Sequence, residues 1–190
     1  MALISLPVTA EFARIVWHPL RHIQVNKSAY NNSRKVMDLG GEGWRVSAAI
    51  EPAETEAKVR LWRAFIALLR NEKHTFQMPA TIGSQHNGAD PTVASGGAAA
   101  AQSVVVSSVT ALTPGMYATI PLTGGGKQLV LITSIAGSTV HFDRELRAAA
   151  VIGAAVATKD PYGIVALSSA PEPDDVDGVF TWAFSAEEAF

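Results

Sequence analysis

The chain predicts a mainly β protein of the α+β class with one packed amphipathic helix. Apolar and polar residues alternate with period two over many short runs. One stretch alone keeps a helical period, and it stands between such runs. Gly, Pro and Asn clusters separate the runs at turn-like intervals.

The N-terminal Leu3, Ile4, Leu6 and Val8 fit an extended starter strand better than a secretion signal, because no basic region precedes them. Strands are expected at Phe12–Trp17 and Ile23–Val25. A further strand places Trp44, Val46, Ala48 and Ile50 on one face. Turns are read at His18-Pro19, Asn31-Asn32 and Gly40-Gly41. The helix is expected over about 53–70, with Pro52 at its entry, Glu54 and Glu56 in its first turn and Arg70 in its last. Val59, Trp62, Phe65, Ile66 and Leu69 make its single apolar stripe, which should lie on the flanking sheet. A partner-binding helix is the alternative use of the same stripe.

His74 to Met78 reads as a strand ended by Pro79. From Gly83 to Ala101 the composition shifts to Gly, Ala, Ser, Asn and Pro, so residues 81–101 are expected to be a linker. Residues 112–147 read as three short strands joined by turns at Gly124-Gly-Gly126 and Gly137-Ser138. In the first of them Met116, Ala118, Ile120 and Leu122 share a face. Beyond Asp160-Pro161-Tyr162-Gly163 come Ile164–Leu167 and an acidic loop over 171–178. A last strand puts Phe180, Trp182 and Phe184 on one face. That aromatic strand needs an apolar surface, and the N-terminal elements offer one. The expected organisation is therefore split: residues 1–80 together with 160–190 form one domain, and 102–159 form an inserted one. Two consecutive β domains are the alternative.

Composition limits the chemistry. The chain has no cysteine, which removes disulfides, thiolate catalysis and cysteine-based metal sites. Charged residues make up 17%, below the usual quarter, which favours a surface covered by partners. Residues 1–75 carry a net +4 and 76–190 a net −6, an asymmetry that could help identical subunits meet head to tail. The basic residues are not clustered, so no direct nucleic-acid recognition is expected, and no apolar run is long enough for a membrane helix.

Candidate motifs fail on spacing. Gly124-Gly-Gly126-Lys127 is followed by Gln128 where a phosphate loop needs Ser or Thr, so a hairpin turn is expected. Asp174, Asp175 and Asp177 lack the closing glutamate of a calcium loop. His18 and His22 have helical metal spacing, but Pro19 and the β context spoil it. His74 and His141 are expected in strands, and His86 in a flexible loop. Glu42 and Glu51 are isolated carboxylates on strand edges or turns. No catalytic, cofactor-binding or metal residue is assigned, and no cofactor is expected.

Three blocks do carry a resemblance. The first runs from Gly41-Glu-Gly-Trp-Arg45 through Ile50-Glu-Pro52 and Leu61–Arg70 to Thr75-Phe76. The second comprises Pro114-Gly-Met-Tyr117, Gln128–Ile132 and Phe142-Asp-Arg-Glu-Leu-Arg147. The third is Phe180–Ala189. In this order they resemble distal tail and minor tail proteins of long-tailed phages, prophages and gene transfer agents. The resemblance implies an N-terminal β-sandwich with its packed helix and an inserted, small β-barrel-like domain. It also implies a structural virion protein without catalysis, made in the bacterial cytoplasm and located at the phage tail tip. Such a protein self-associates, commonly as a hexameric ring, and joins the tail tube protein to the tail hub protein of the baseplate. A carbohydrate-binding module for host attachment is the alternative, and it would expose Trp17, Trp44, Trp62 or Trp182 on a concave face. A small hydrolase is a third class. It would need carboxylates or a Ser–His pair converging in one pocket.

Overall fold

A computed structural model describes the chain except residues 1, 8–9, 21–22, 28–33, 39–41, 54, 71–72, 170–171, 177–178 and 190. The expected turns at Asn31-Asn32 and Gly40-Gly41, and the residues Val8, His22, Glu54 and Asp177 named above, lie outside the described residues. The described protein is mainly β with one α-helix.

A seven-stranded sheet draws its strands from both ends of the chain. They are β1 (Leu3–Ile4), β2 (Phe12–Leu20), β5 (Gly43–Ile50), β6 (Thr75–Pro79), β12 (Tyr162–Leu167), β13 (Glu172–Val176) and β14 (Val179–Glu188). Its order is β1-β6-β12-β14-β5-β2, with β13 added to the free half of β14. The pairings are antiparallel except that of β1 with β6. A separate ribbon, β3 (Ile23–Lys27) with β4 (Arg34–Asp38), leaves this sheet between β2 and β5.

The period-two reading of β5 and β14 holds. Trp44, Val46, Ala48 and Ile50, with Trp182 and Phe184, are buried in one core, and Phe180 packs against it. Helix α1 (Glu56–Leu69) lies on that core through Val59, Trp62, Phe65 and Leu69. It starts later than expected because Ala53 is held in a bridge with Phe180 and is not free to turn. Thr55 caps the helix, its hydroxyl accepting from the Lys58 amide at 3.5 Å, and Arg70 closes it in a left-handed conformation.

The sheet is strongly curled. In a flat sheet β2 would stand about 14 Å from β12, three strands away. Here the Trp17 indole of β2 donates to the Pro79 carbonyl of β6 at 3.2 Å and lies against Gly163 of β12. A Cβ at Gly163 would meet Trp17 Cη2 at 2.6 Å, so this strand position has room for glycine alone.

A five-stranded sheet occupies the middle of the chain, in the order β7 (Val93–Gly96), β8 (Ser103–Val106), β11 (Thr139–Phe142), β10 (Lys127–Ala136), β9 (Tyr117–Pro121). The three expected strands of 112–147 are β9, β10 and β11, and Ala118, Ile120 and Leu122 share the core face as read. Residues 149–157 then hydrogen-bond to both edges: Val93 N to Ala154 O on one side, Thr119 N to Ala157 O on the other. The sheet is thereby curled into a barrel-like shell around Val104, Ile120, Val130, Ile132 and Phe142.

Three expectations are corrected. The turn read at His18-Pro19 does not form there, because both residues lie inside β2, opposite Arg45 and Trp44. Residues 81–101 are not a linker throughout, since β7 pairs with β8, and Pro91, Val93 and Gly97 are buried. Gly97 is needed there, because a Cβ would lie 2.8 Å from that of Ala150. The acidic segment 171–178 is not all loop either. Its residues 172–176 form β13, which satisfies the backbone of β14 over 179–183.

Candidate functional site

The described polar groups concentrate where the two sheets meet. Strand β10 is buried on both faces: Leu129 belongs to the helix-side core, while Val130 and Ile132 belong to the barrel core. Trp44 of β5 donates its indole N–H to the Leu129 carbonyl at 2.9 Å. Over its ring, 4.2 Å from the centroid, lies the guanidinium of Arg144, which is 2% exposed.

Arg144 is held by a carboxylate on each side of the junction. Asp143 Oδ2 accepts from its Nε at 3.2 Å and Nη2 at 3.0 Å, while Asp143 Oδ1 accepts from the Leu131 amide at 2.8 Å. Glu188, near the end of β14, places Oε2 3.7 Å from Arg144 Nη1 and accepts from Arg147 Nη2 at 3.3 Å. Arg147 also donates to the Glu42 carbonyl at 3.0 Å, and its amide donates to Gln128 Oε1 at 3.0 Å. The 143–147 segment of one sheet is thus clasped to β5 and β14 of the other. Burial pushes the Glu188 carboxyl above its ordinary range, against the opposing pull of Arg147 and Arg144. Burial likewise lowers Arg147, opposed by Glu188. Burial and the Asp143 charge raise the Tyr117 phenol.

A second polar knot anchors the 84–91 segment. Asp90 Oδ1 accepts from the Thr158 amide, the Thr158 hydroxyl and the Lys159 amide at 2.8–2.9 Å. Burial raises the Asp90 carboxyl, but the hydrogen bonds from Lys159 and Thr158 outweigh it, so the net direction is down. His86 Nδ1 accepts from the Gly88 amide at 3.0 Å, so Nε2 carries the proton and donates to Thr158 Oγ1 at 3.0 Å. The imidazole therefore donates a hydrogen bond to the hydroxyl, the opposite of a base that accepts one from a nucleophile. Thr158 is also fully buried. The expectation of a flexible loop at His86 is corrected: the ring is half-buried and bonded on both nitrogens.

The other residues considered from sequence stay apart. Gly124 and Gly125 form the expected turn with φ of 82° and 83°, beside a cleft of about 360 Å³ that Lys127 and Arg147 also line. Lys127 Nζ donates to the Tyr162 hydroxyl and lies 4.9 Å from its ring centroid. His18 is exposed on β2, and His74, just before β6, accepts from the Ala2 amide at 3.2 Å. His141 is half-buried in β11. Among the described residues, no three His, Asp or Glu side chains converge as a metal site. Trp17, Trp44, Trp62 and Trp182 are each 7% exposed or less, so none offers a stacking platform for a sugar.

A cavity of about 630 Å³ forms a groove between β2 and β6. Ile15 of β2 and Pro79 of β6 form its walls, and Leu6 and Ala10 of the segment joining β1 to β2 also line it. Glu11, Glu51 and Asp160 line it as well, without any Lys, Arg or His. No protein-family model matches the chain, and no curated protein matches its sequence.

Proposed function

We propose that the protein is a structural subunit of a phage tail tip that acts by shape and self-association, building a ring between tail tube and hub. The observation that carries this reading is an architecture prepared for lateral contact. Among the described residues no further strand pairs with the nine-residue strand β2 at the end of the seven-stranded sheet, and β3 and β4 form a separate ribbon between β2 and β5. An unpaired edge of that length attracts another strand unless a neighbour covers it, and a ring of identical subunits covers it. The clasp at Arg144 supports the same reading, because it fixes the barrel-like unit against the sheet as one rigid block. The three blocks of resemblance fall on the parts so joined: β5 with α1, β9–β10 with the clasp, and β14.

The test combines the solution mass with negatively stained electron microscopy and antibody labelling of tailed particles that carry the chain. A closed ring of about six subunits, and label at the tail tip, are the expected results. Label absent from the particles overturns the proposal.

A further inference from the structure

We infer that helix α1 pairs antiparallel with α1 of a second copy through an exposed seam of Ala57, Leu61, Ala64 and Leu68. The inference goes beyond the ring reading and does not depend on it. The helix carries two apolar stripes. Val59, Trp62, Phe65 and Leu69 are buried on the protein's own core, which accounts for one of them. The other runs through Ala57, Leu61, Ala64 and Leu68, and all four are exposed. Leu61 keeps 47% of its surface open and Leu68 57%.

The spacing of four, three and four residues is the one that two packed helices use. At 3.6 residues per turn the four side chains fall within about 60° of arc, about 130° around the helix from the core stripe. A partner helix can therefore lie against them without displacing the sheet beneath α1. Single exposed leucines are ordinary on a protein surface. Here two stand seven residues apart, with alanine at the other positions of the same stripe. Charge is kept to one side of it, where Glu56 pairs with both Arg60 and Arg63.

The alternation of size names the occupant. A two-fold axis midway between Trp62 and Arg63 sets Leu61 opposite Ala64 of the second copy, and Leu68 opposite its Ala57. Each layer then holds one leucine and one alanine, a large side chain entering the space beside a small one. A parallel pair would stack leucine on leucine and alanine on alanine, crowding some layers and leaving voids in the others. The antiparallel arrangement also brings the Glu56 end of one helix beside the Arg70 end of the other, with the helix dipoles opposed. A seam that matches a second copy of itself is isologous and closes as a dimer.

The rise from Ala57 to Leu68 is about 16 Å, roughly three turns. So short a seam makes a weak pair, with a dissociation constant between about 10 µM and 1 mM.

Sedimentation of the full chain over that range should show its mass doubling reversibly, from monomer to dimer or from ring to paired rings. Leu61→Lys/Leu68→Lys should raise the dissociation constant of this step by about tenfold or more, with circular dichroism unchanged. Ala57→Leu/Ala64→Leu separates the seam from a merely sticky surface, which would gain affinity from added leucines. The interlocked seam should instead weaken by about tenfold. Ala57→Leu/Leu61→Ala/Ala64→Leu/Leu68→Ala restores one leucine and one alanine to each layer and should recover the doubling. Direction is read by disulfides, because the natural chain has no cysteine. Ala57→Cys mixed with Leu68→Cys should cross-link under mild oxidation. Ala57→Cys alone should not, since its two thiols would lie about 16 Å apart. A natural chain that does not double by about 1 mM overturns the inference. Tighter doubling in Ala57→Leu/Ala64→Leu overturns it, and so does self-cross-linking of Ala57→Cys. An undoubled chain that cosediments with phosphatidylglycerol vesicles overturns it too, giving the stripe to a membrane. Doubling and particle labelling are separate readouts, so this inference and the ring reading can each fail alone.

Discussion

Arg144→Met tests the clasp most directly. The guanidinium is 2% exposed and faces Asp143 at 3.0 Å and Glu188 at 3.7 Å. Methionine keeps much of the aliphatic stem but removes the cation. Two buried carboxylates then remain with Arg147, which pairs with Glu188 at 3.3 Å. Breaking a buried pair by removing one partner costs about 3–5 kcal/mol, because the other charge stays out of water. Loss of the cation over Trp44 is part of the same deficit. In a chain of 190 residues each kcal/mol moves Tm by about 2–4 °C, so the variant should melt roughly 6–20 °C lower. Urea unfolding followed by tryptophan fluorescence reads the loss, since all four tryptophans are buried. Acid gives a second signature. A carboxylate left uncompensated binds a proton more readily in the fold, so the deficit should narrow as pH falls from about 7 toward about 5. Glu188 is already raised by burial, which means its charged form is less favourable here than in water. Arg144→Met/Glu188→Leu should therefore recover part of the loss. A deficit below about 1 kcal/mol at neutral pH, or one that ignores acidification, would refute the clasp as a buried charge network.

Gly163→Ala should cost about 1–3 kcal/mol, because its Cβ must displace the Trp17 ring from 2.6 Å. A Trp17→Leu background should shrink that penalty, and a urea midpoint equal to the natural protein's would show that the sheet is less curled than described. Asp90 has a lowered carboxyl, so its contribution is present above the ordinary carboxylate range and is lost as pH falls through and below it. Asp90→Asn should flatten the acid limb of a stability–pH curve, whereas an unchanged limb would remove Asp90 from the knot's energetics. Glu188 has the opposite sign: its folded form holds the proton to higher pH, so stability falls as pH rises through its window, and Glu188→Gln should flatten that decline.

The sequence was most legible where one side of an element is buried and the other is wet. Strand β5, strand β14 and helix α1 each write their core face as a simple period, because burial alone selects those residues. Strands β7 and β13 were missed for the opposite reason. β7 is built from Val-Ala-Ser-Gly at a sheet edge, and Gly97 just after it lies so close to Ala150 that only glycine fits, so the segment reads as linker. β13 is Glu-Pro-Asp-Asp-Val, whose composition signals solvation, yet its backbone has the free half of β14 to pair with. Backbone hydrogen bonding overrode side-chain preference in both.

The site was hidden by sequence distance. Asp143, Arg144 and Arg147 stand 41 to 45 residues before Glu188, and only folding brings them together. What fixes them there is Trp44, whose N–H binds one sheet while its ring supports the cation that binds the other. A tryptophan following Gly43 on a strand states burial but not which charge it will shelter. The buried network costs desolvation that an apolar junction would avoid. Its return is a fixed angle between the two units, which a slippery apolar contact would not set. In the proposed ring, a subunit that repeats the same contact would need that angle more than the last few kcal/mol. If the angle is what the clasp supplies, Arg144→Met/Glu188→Leu should keep most of the stability while its assemblies become heterogeneous in mass. Uniform assemblies from that variant would mean that the junction's apolar contacts set the angle without the charges.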